Sequence, residues 1–316
     1  MANYPSNLLR VGLAKESSRG VAESTPGSWL AVHPDSRMDY KAILQPDTNL
    51  RGTMAKWADA VVATEGDGLI KFPLRASDVG EFLHMLIGDP TSAQQGGSAA
   101  YLHTFTPATT ILPASYTFFF DRNISVLKYN GCNVSELKIT ASPEDFIMVE
   151  ATMMFLGEAS GSIGSPAYVE SEELTWQHVT FNIAGGSNTE VKSFELSLKN
   201  GLFRKRVTAQ SAAPEQLVAT EFMADCSFVV YFENATERDK FIAGTVTSVE
   251  VVIAGDTIAS SFKYTLEVLL DDFVYTAFPW GVEDGLVAAQ VVGHAVYDTS
   301  NTRIFRARVT NIATAY

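Results

Sequence analysis

The chain carries one succession of segments twice, at one fixed spacing. Val62-Ala63-Thr64-Glu65 leads to Phe72-Pro73-Leu74, then to a helix-like stretch from Asp78 to Met85, and closes at Gly88. Val218-Ala219-Thr220-Glu221 leads to Phe228-Val229-Val230-Tyr231-Phe232, then to Thr236–Ile242, and closes at Gly244. The offset holds from start to end, since 218 minus 62 and 244 minus 88 both give 156. A four-residue match alone carries little. Continued by strand, helix and glycine at one spacing, it predicts a duplicated structural unit. Duplication within a chain usually serves assembly or a binding surface rather than a single catalytic pocket, which points away from an enzyme.

The length of 316 residues agrees with two units of roughly 100–150 residues each. With 46% hydrophobic and 19% charged residues, each half has enough apolar material for a core. The net charge of −13 excludes an ordinary DNA-binding surface, which needs clustered Lys and Arg against phosphates. It is compatible with a surface past which DNA slides, because like charges repel. Two cysteines, Cys132 and Cys226, are too few for a disulfide framework and lie in apolar strand-like contexts, so both are expected to be buried thiols. The opening Met1-Ala2-Asn3-Tyr4-Pro5 has no basic-then-apolar signal pattern, and no apolar run reaches the roughly 20 residues that cross a bilayer. A soluble cytoplasmic product is expected.

Residues 1–27 are polar and end in Glu23-Ser24-Thr25-Pro26-Gly27, which reads as an arm without its own core. Residues 28–160 and 161–316 are the expected domains, with Gly157–Pro166 as a boundary loop and Thr91–Ser98 as another loop. Val79, Phe82, Leu83 and Leu86 recur at helical spacing behind Ser77, a candidate N-cap. Elsewhere apolar residues alternate. Leu137 and Ile139 oppose Glu136 and Lys138; Phe194, Leu196 and Leu198 oppose Glu195 and Ser197; Leu266 and Val268 oppose Lys263 and Glu267. Period-two alternation predicts sheets with one face on a core and one in water. Ser135–Ile139, followed by Pro143-Glu144, also resembles Phe194–Leu198, followed by Pro214-Glu215 after a longer connection. The extra length contains the basic tip Arg204-Lys205-Arg206, expected to be an inter-subunit contact or an exposed hairpin end.

Catalytic patterns do not emerge. His33, His84, His103, His178 and His294 share no metal-ligand spacing, and no GxSxG, Walker or GxGxxG pattern occurs. The pairs Glu144-Asp145, Glu172-Glu173 and Asp271-Asp272 are adjacent residues, which on a strand point to opposite faces and make poor acid–base dyads. No cofactor and no metal site is expected. Tyr116–Phe120 and Phe273–Tyr275 read as core strands rather than a sugar platform, and Trp29, Trp57, Trp176 and Trp280 are scattered.

Several segments carry a family resemblance. Gly12, Lys15-Glu16-Ser17, Gly20 and Thr25-Pro26-Gly27 resemble the opening of the tail tube (major tail) proteins of long-tailed bacteriophages. Leu86-Ile87-Gly88 followed by Tyr101–Pro107 is similar to the same family, as are Tyr129–Ile139 and Phe194–Leu202. The resemblance implies a mostly β chain of two tandem sandwich or half-barrel domains, each with a short flanking helix and long hairpins. It further implies rings that stack around a lumen, with a tape-measure protein and later the genome inside, and terminator and baseplate proteins as partners. Duplication then favours a trimeric ring with pseudo-sixfold symmetry over a hexamer. The wet face carrying Glu136, Lys138, Glu150, Glu195, Lys263 and Glu267 is the expected lumen lining. Lys15, Glu16, Arg204, Lys205 and Arg206 are the expected ring-to-ring contacts. The expected place is the virion, after assembly in the host bacterial cytoplasm. A β-sandwich binding module, such as a carbohydrate-binding adhesin, and a terminator or baseplate ring are the competing readings.

Overall fold

The computed structural model describes residues 8–52, 54–55, 58–107, 112–169, 171–208 and 211–316. In chain order, the first half contains β1 (Arg10–Lys15), β2 (Ser28–Leu30), β3 (Arg37–Pro46), β4 (Asp59–Pro73), α1 (Val79–Ile87), β5 (Thr91–Gln94), β6 (Tyr101–Phe105), β7 (Tyr116–Asp121), β8 (Val126–Ala141), β9 (Met148–Phe155) and β10 (Gly157–Ser160). After a 3-10 turn at Trp176–His178, the second half contains β11 (Val179–Ile183), β12 (Gly186–Ser187), β13 (Val191–Lys199), β14 (Phe203–Lys205), β15 (Gln216–Val218), β16 (Met223–Tyr231), α2 (Thr236–Ala243), β17 (Thr247–Ala259), β18 (Phe262–Ala277), β19 (Trp280–Glu283), β20 (Leu286–Val296) and β21 (Arg306–Asn311).

One sheet runs through both halves. Its antiparallel order is β3-β4-β9-β8 in the first half, then β8 to β13 across the middle, then β13-β16-β20-β18 in the second. A second layer covers each half: β2-β1-β7-β8 with β10 beyond, and β12-β11-β17-β18 with β21, β6 and β5 beyond. β8 and β18 serve both layers. Each is 16 residues long and changes partner after a register break opposite β7 or β17. Such a break bends a strand and increases its twist, which carries it from one layer to the other. The result is a β-sandwich built largely from the alternating strands.

Alternation sets which side faces the core. Leu137, Ile139, Val149, Ala151, Leu196 and Leu198 are all buried, while Glu136, Lys138, Glu150 and Glu195 between them stay partly exposed. In the first half α1 fills the space between layers. Phe82 lies 4.8 Å from Phe72 of β4 and 6.3 Å from Phe118 of β7, ring centre to ring centre. In the second half the layers meet directly, with Phe181 of β11 4.9 Å from Phe228 of β16. α2 buries none of its residues. Both helices stand where the spacing predicts them, and the aromatic runs 116–120 and 273–275 are core strands.

Several expectations differ from the structure. Residues 10–15 do not lack a core: β1 pairs with β7 along its length, and Val11 and Leu13 are buried. Residues 1–7 of that segment, and Trp57, lie outside the described residues. Ser77 does not cap α1. The N-cap position is Asp78, without a side-chain cap bond, and Ser77 Oγ donates instead to Asp78 Oδ1 at 2.7 Å. The stretches 91–98 and 157–166 each begin with a short strand, β5 on β6 and β10 on β8. Segments 135–139 and 194–198 are neighbours rather than copies, with Leu137 opposite Leu198 and Ile139 opposite Leu196. Their shared pattern arises because both expose one face of the same sheet.

Candidate functional site: the polar face of the shared sheet

The register of the shared sheet lines up polar side chains across both halves. Lys71 of β4 stands opposite Glu150 of β9, Glu150 opposite Lys138 of β8, and Lys138 opposite Ser197 of β13. Ser197 is opposite Asp225 of β16, and Asp225 opposite His294 of β20. Directly opposed residues share a face, so this is one continuous row. Two positions along, Glu136 is opposite Lys199; two positions the other way, Thr140 is opposite Glu195 and Glu195 opposite Ser227.

Every carboxylate on this face has a partner. Lys71 Nζ lies 2.7 Å from Glu150, Lys138 Nζ 3.0 Å from Glu195, and Lys199 Nζ 2.9 Å from Asp225 and 3.7 Å from Glu136. Ser197 Oγ donates to Glu136 at 2.6 Å. Hydrogen bonding to Glu150 holds the Lys71 ammonium above its ordinary range, and bonding to Asp225 does the same for Lys199. Glu136, Glu150, Glu195 and Asp225 thus face Lys71, Lys138 and Lys199 as a lattice of short ion pairs. The pairs are partly exposed, so each contributes little stability, about 0–1 kcal/mol. Attraction and repulsion alternate within a few ångströms across this face, so it presents no sustained positive patch that could grip phosphates.

The structure therefore brings Glu136, Lys138, Glu150 and Glu195 together and separates the other two expected lumen residues. Glu267 lies in the outer-layer part of β18, opposite Arg308, and accepts from Arg306 at 2.7 Å and Arg308 at 3.3 Å. Lys263 is exposed near the β17–β18 turn, opposite Thr257. Lys71, Lys199 and Asp225 complete the face and were missed. Lys199 continues the period set by Glu195 and Ser197, and Lys71 precedes the buried Phe72, so both were legible in the alternation.

The residues expected to join rings are largely engaged within the chain. Glu16 is 8% exposed and accepts from Gly20 N, Ser115 Oγ, Thr117 Oγ1 and Gly131 N. Arg204 donates to Gly66 O at 2.7 Å and to Asp67, and Arg206 donates to Thr64 O at 2.8 Å and Ala212 O at 2.9 Å. Lys205 pairs with Glu215 at 2.9 Å, and Lys15 reaches Tyr316 O at 3.1 Å. The basic tip thus clamps β4 of its own chain.

Among the described residues no cluster of His, Cys, Asp and Glu is placed to hold a metal ion, and no helix is long and apolar enough to cross a membrane. Fold and site define a mostly β protein whose charges form a sheet surface rather than a pocket. The sequence matches the phage tail tube proteins over residues 6–301, and the chain belongs to that family, a class of structural virion components. No curated protein matches the chain.

Proposed function

We propose that this protein is the repeating subunit of a phage tail tube: copies close into rings, rings stack, and the polar face of the shared sheet lines the bore. A trimeric ring is favoured over a hexamer, because one chain already supplies two four-stranded groups in the same order. A tape-measure protein would occupy the bore during assembly and viral DNA would pass through it later, without specific binding. Terminator and baseplate proteins would meet the tube ends. Assembly would take place in the host cytoplasm, and the subunit's role there is structural rather than catalytic.

One observation carries this reading. The shared sheet ends on β3 at one side and on Val274–Ala277 of β18 at the other, and neither outer edge is paired with another strand among the described residues. Unpaired edges invite another strand, and closing a ring removes them. Two different edges make a head-to-tail contact, which closes into a ring when its rotation completes a circle. The lattice of ion pairs supports the bore assignment, because it offers phosphates no continuous cationic track. Negative-stain microscopy of the purified protein, with light scattering across a concentration series, tests the proposal. Hollow tubes or stacked rings are expected. A monomer that persists at high concentration would sink it.

A further inference from the structure

The halves share more than a strand order. β1–β2, β1–β7, β7–β8, β8–β9, β9–β4 and β4–β3 in the first half are matched by β11–β12, β11–β17, β17–β18, β18–β20, β20–β16 and β16–β13 in the second. In this matching β3 corresponds to β13, and β8 to β18. The joint at the middle of the chain, β8 to β13, therefore has a counterpart in which β18 would meet a β3. Within one chain that counterpart is unmade. The last pair of β17 with β18 is Thr247 opposite Phe273; from Val274 to Ala277, among the described residues, β18 pairs with β20 on one side only, and β19 prolongs the same edge along β20. Among the described residues β3 pairs only with β4.

A second observation concerns the hairpin beyond the joint. After β13, the β14–β15 tip crosses β4, where Thr64 N donates to Ala212 O at 2.9 Å, and Leu202 and Leu217 pack with Leu156 and Met154. The repeat offset of 156 places Val61 where Leu217 stands. Leu217 is 1% exposed, yet Val61 is 56% exposed, and Leu44 opposite it is 55% exposed. The surface matching the seat is equally bare. Met223, at the position of Asp67, and Tyr297, following β20, are 38% and 59% exposed.

We infer that a second copy of this chain completes both features: its β3 pairs antiparallel with the second part of β18, and its β3–β4 tip lies across Met223 and Tyr297. The inference rests on the ring reading above and specifies its contact and register. Gly68 pairs with Met38 and Ala224 with Leu198, so Lys199 corresponds to Asp39. Ala151 pairs with Leu137 and Gly293 with Tyr275, so Glu136 corresponds to Val274. The intramolecular pair Lys199–Glu136 thus becomes Asp39 of one copy opposite Val274 of the next. A slip of one residue would turn apolar side chains outward, which makes this register selective.

The test is a double variant, Asp39→Cys with Val274→Cys, assembled and oxidised, so that only directly opposed thiols are close enough to join as a disulfide. The natural thiols do not interfere, because Cys132 and Cys226 are buried. A ladder of crosslinked chains ending in one closed species is expected, with none from the shifted pair Lys41→Cys with Val274→Cys. Tubes that form normally but crosslink equally in both pairs, or in neither, overturn this contact while leaving the tube reading intact. Chains that never assemble overturn both. A second variant, Val61→Asp, places a charge at a site exposed in the single chain, so the subunit should remain folded and monomeric. Tubes of normal length from Val61→Asp would also overturn the proposal.

Discussion

The Glu16 carboxylate accepts a hydrogen bond from the backbone N–H of Gly131 at 2.7 Å, tying the end of β1 to the register break of β8. Gly131 has φ +65°, and a Cβ there would meet Leu156 side-chain atoms at 2.6 and 2.7 Å, so the break requires glycine. Glu16 also accepts from Gly20 N at 2.7 Å, Ser115 Oγ at 2.7 Å and Thr117 Oγ1 at 3.0 Å. One buried acceptor therefore satisfies four donors from three separate segments.

Removing it strands those donors. Leaving a buried donor unpaired costs about 1–3 kcal/mol, and water entering the vacated space recovers part of the loss. Glu16→Ala is expected to destabilise the subunit by about 3 kcal/mol, read as a lower urea midpoint with unchanged slope. An unchanged midpoint would show that the cluster does not hold β1 to β8.

Residue patterns disclosed some of this architecture and hid the rest for identifiable reasons. Alternation in 135–139, 194–198 and 264–268 gave strands and their inward faces, because burial on one side leaves a period of two. The helix spacing around Phe82 and Leu83 gave α1. The Glu16 cluster was hidden because its donors lie at residues 20, 115, 117 and 131, and no local spacing encodes their convergence. β1 was hidden because only Val11 and Leu13 mark it as apolar within a polar segment. The β8–β13 joint left a trace, but likeness between two strands does not say whether they are copies or partners. Asp225 was hidden for the same reason: it joins the charged face of the first half only through that joint.

Glu81 gives the subunit a pH dependence near neutrality. Burial pushes its carboxyl up from 4.5 to about 7, Asp78 adds to the rise, and the hydrogen bond from Ser28 Oγ at 2.7 Å opposes it. The folded-state value lies above the unfolded one, so the stabilisation is full below about pH 4.5 and is lost as pH rises through about 7. Glu81→Gln removes the charge that forms above that range. It is expected to be more stable than the natural protein at pH 8 by about 1–3 kcal/mol and nearly equal at pH 4. Urea titrations of both proteins at the two pH values measure the difference, and equal gaps would refute the assignment.

The thiols should report unfolding. Burial pushes Cys226 up to about 12 and raises Cys132 well above its ordinary value, and the thiolate is the reactive form. Native protein at pH 8 is expected to resist a thiol-reactive chromogen for hours, with both residues labelled promptly in denaturant. Fast labelling without denaturant would mean that β8 or β16 opens locally.

Charge reversal separates the polar face from the acid that lies elsewhere. Glu195 is 46% exposed at its side chain and, among the described residues, ion-pairs only with Lys138, so Glu195→Lys should cost less than about 1 kcal/mol and leave assembly intact. Glu267 is 20% exposed at its side chain and pairs with both Arg306 and Arg308, whose Nε atoms have no hydrogen-bond partner among the described residues. Glu267→Lys would gather three cations on adjacent strands, and is expected to cost about 2–4 kcal/mol in the subunit itself. If the face around Glu195 lines the bore, Glu195→Lys with Glu136→Lys creates a cationic stretch that holds phosphates. Phage carrying both changes should form tails of normal length yet eject DNA more slowly, most visibly at low salt, where screening is weakest. Ejection kinetics in a salt series measure this, and normal rates at every salt concentration would place the face outside the bore.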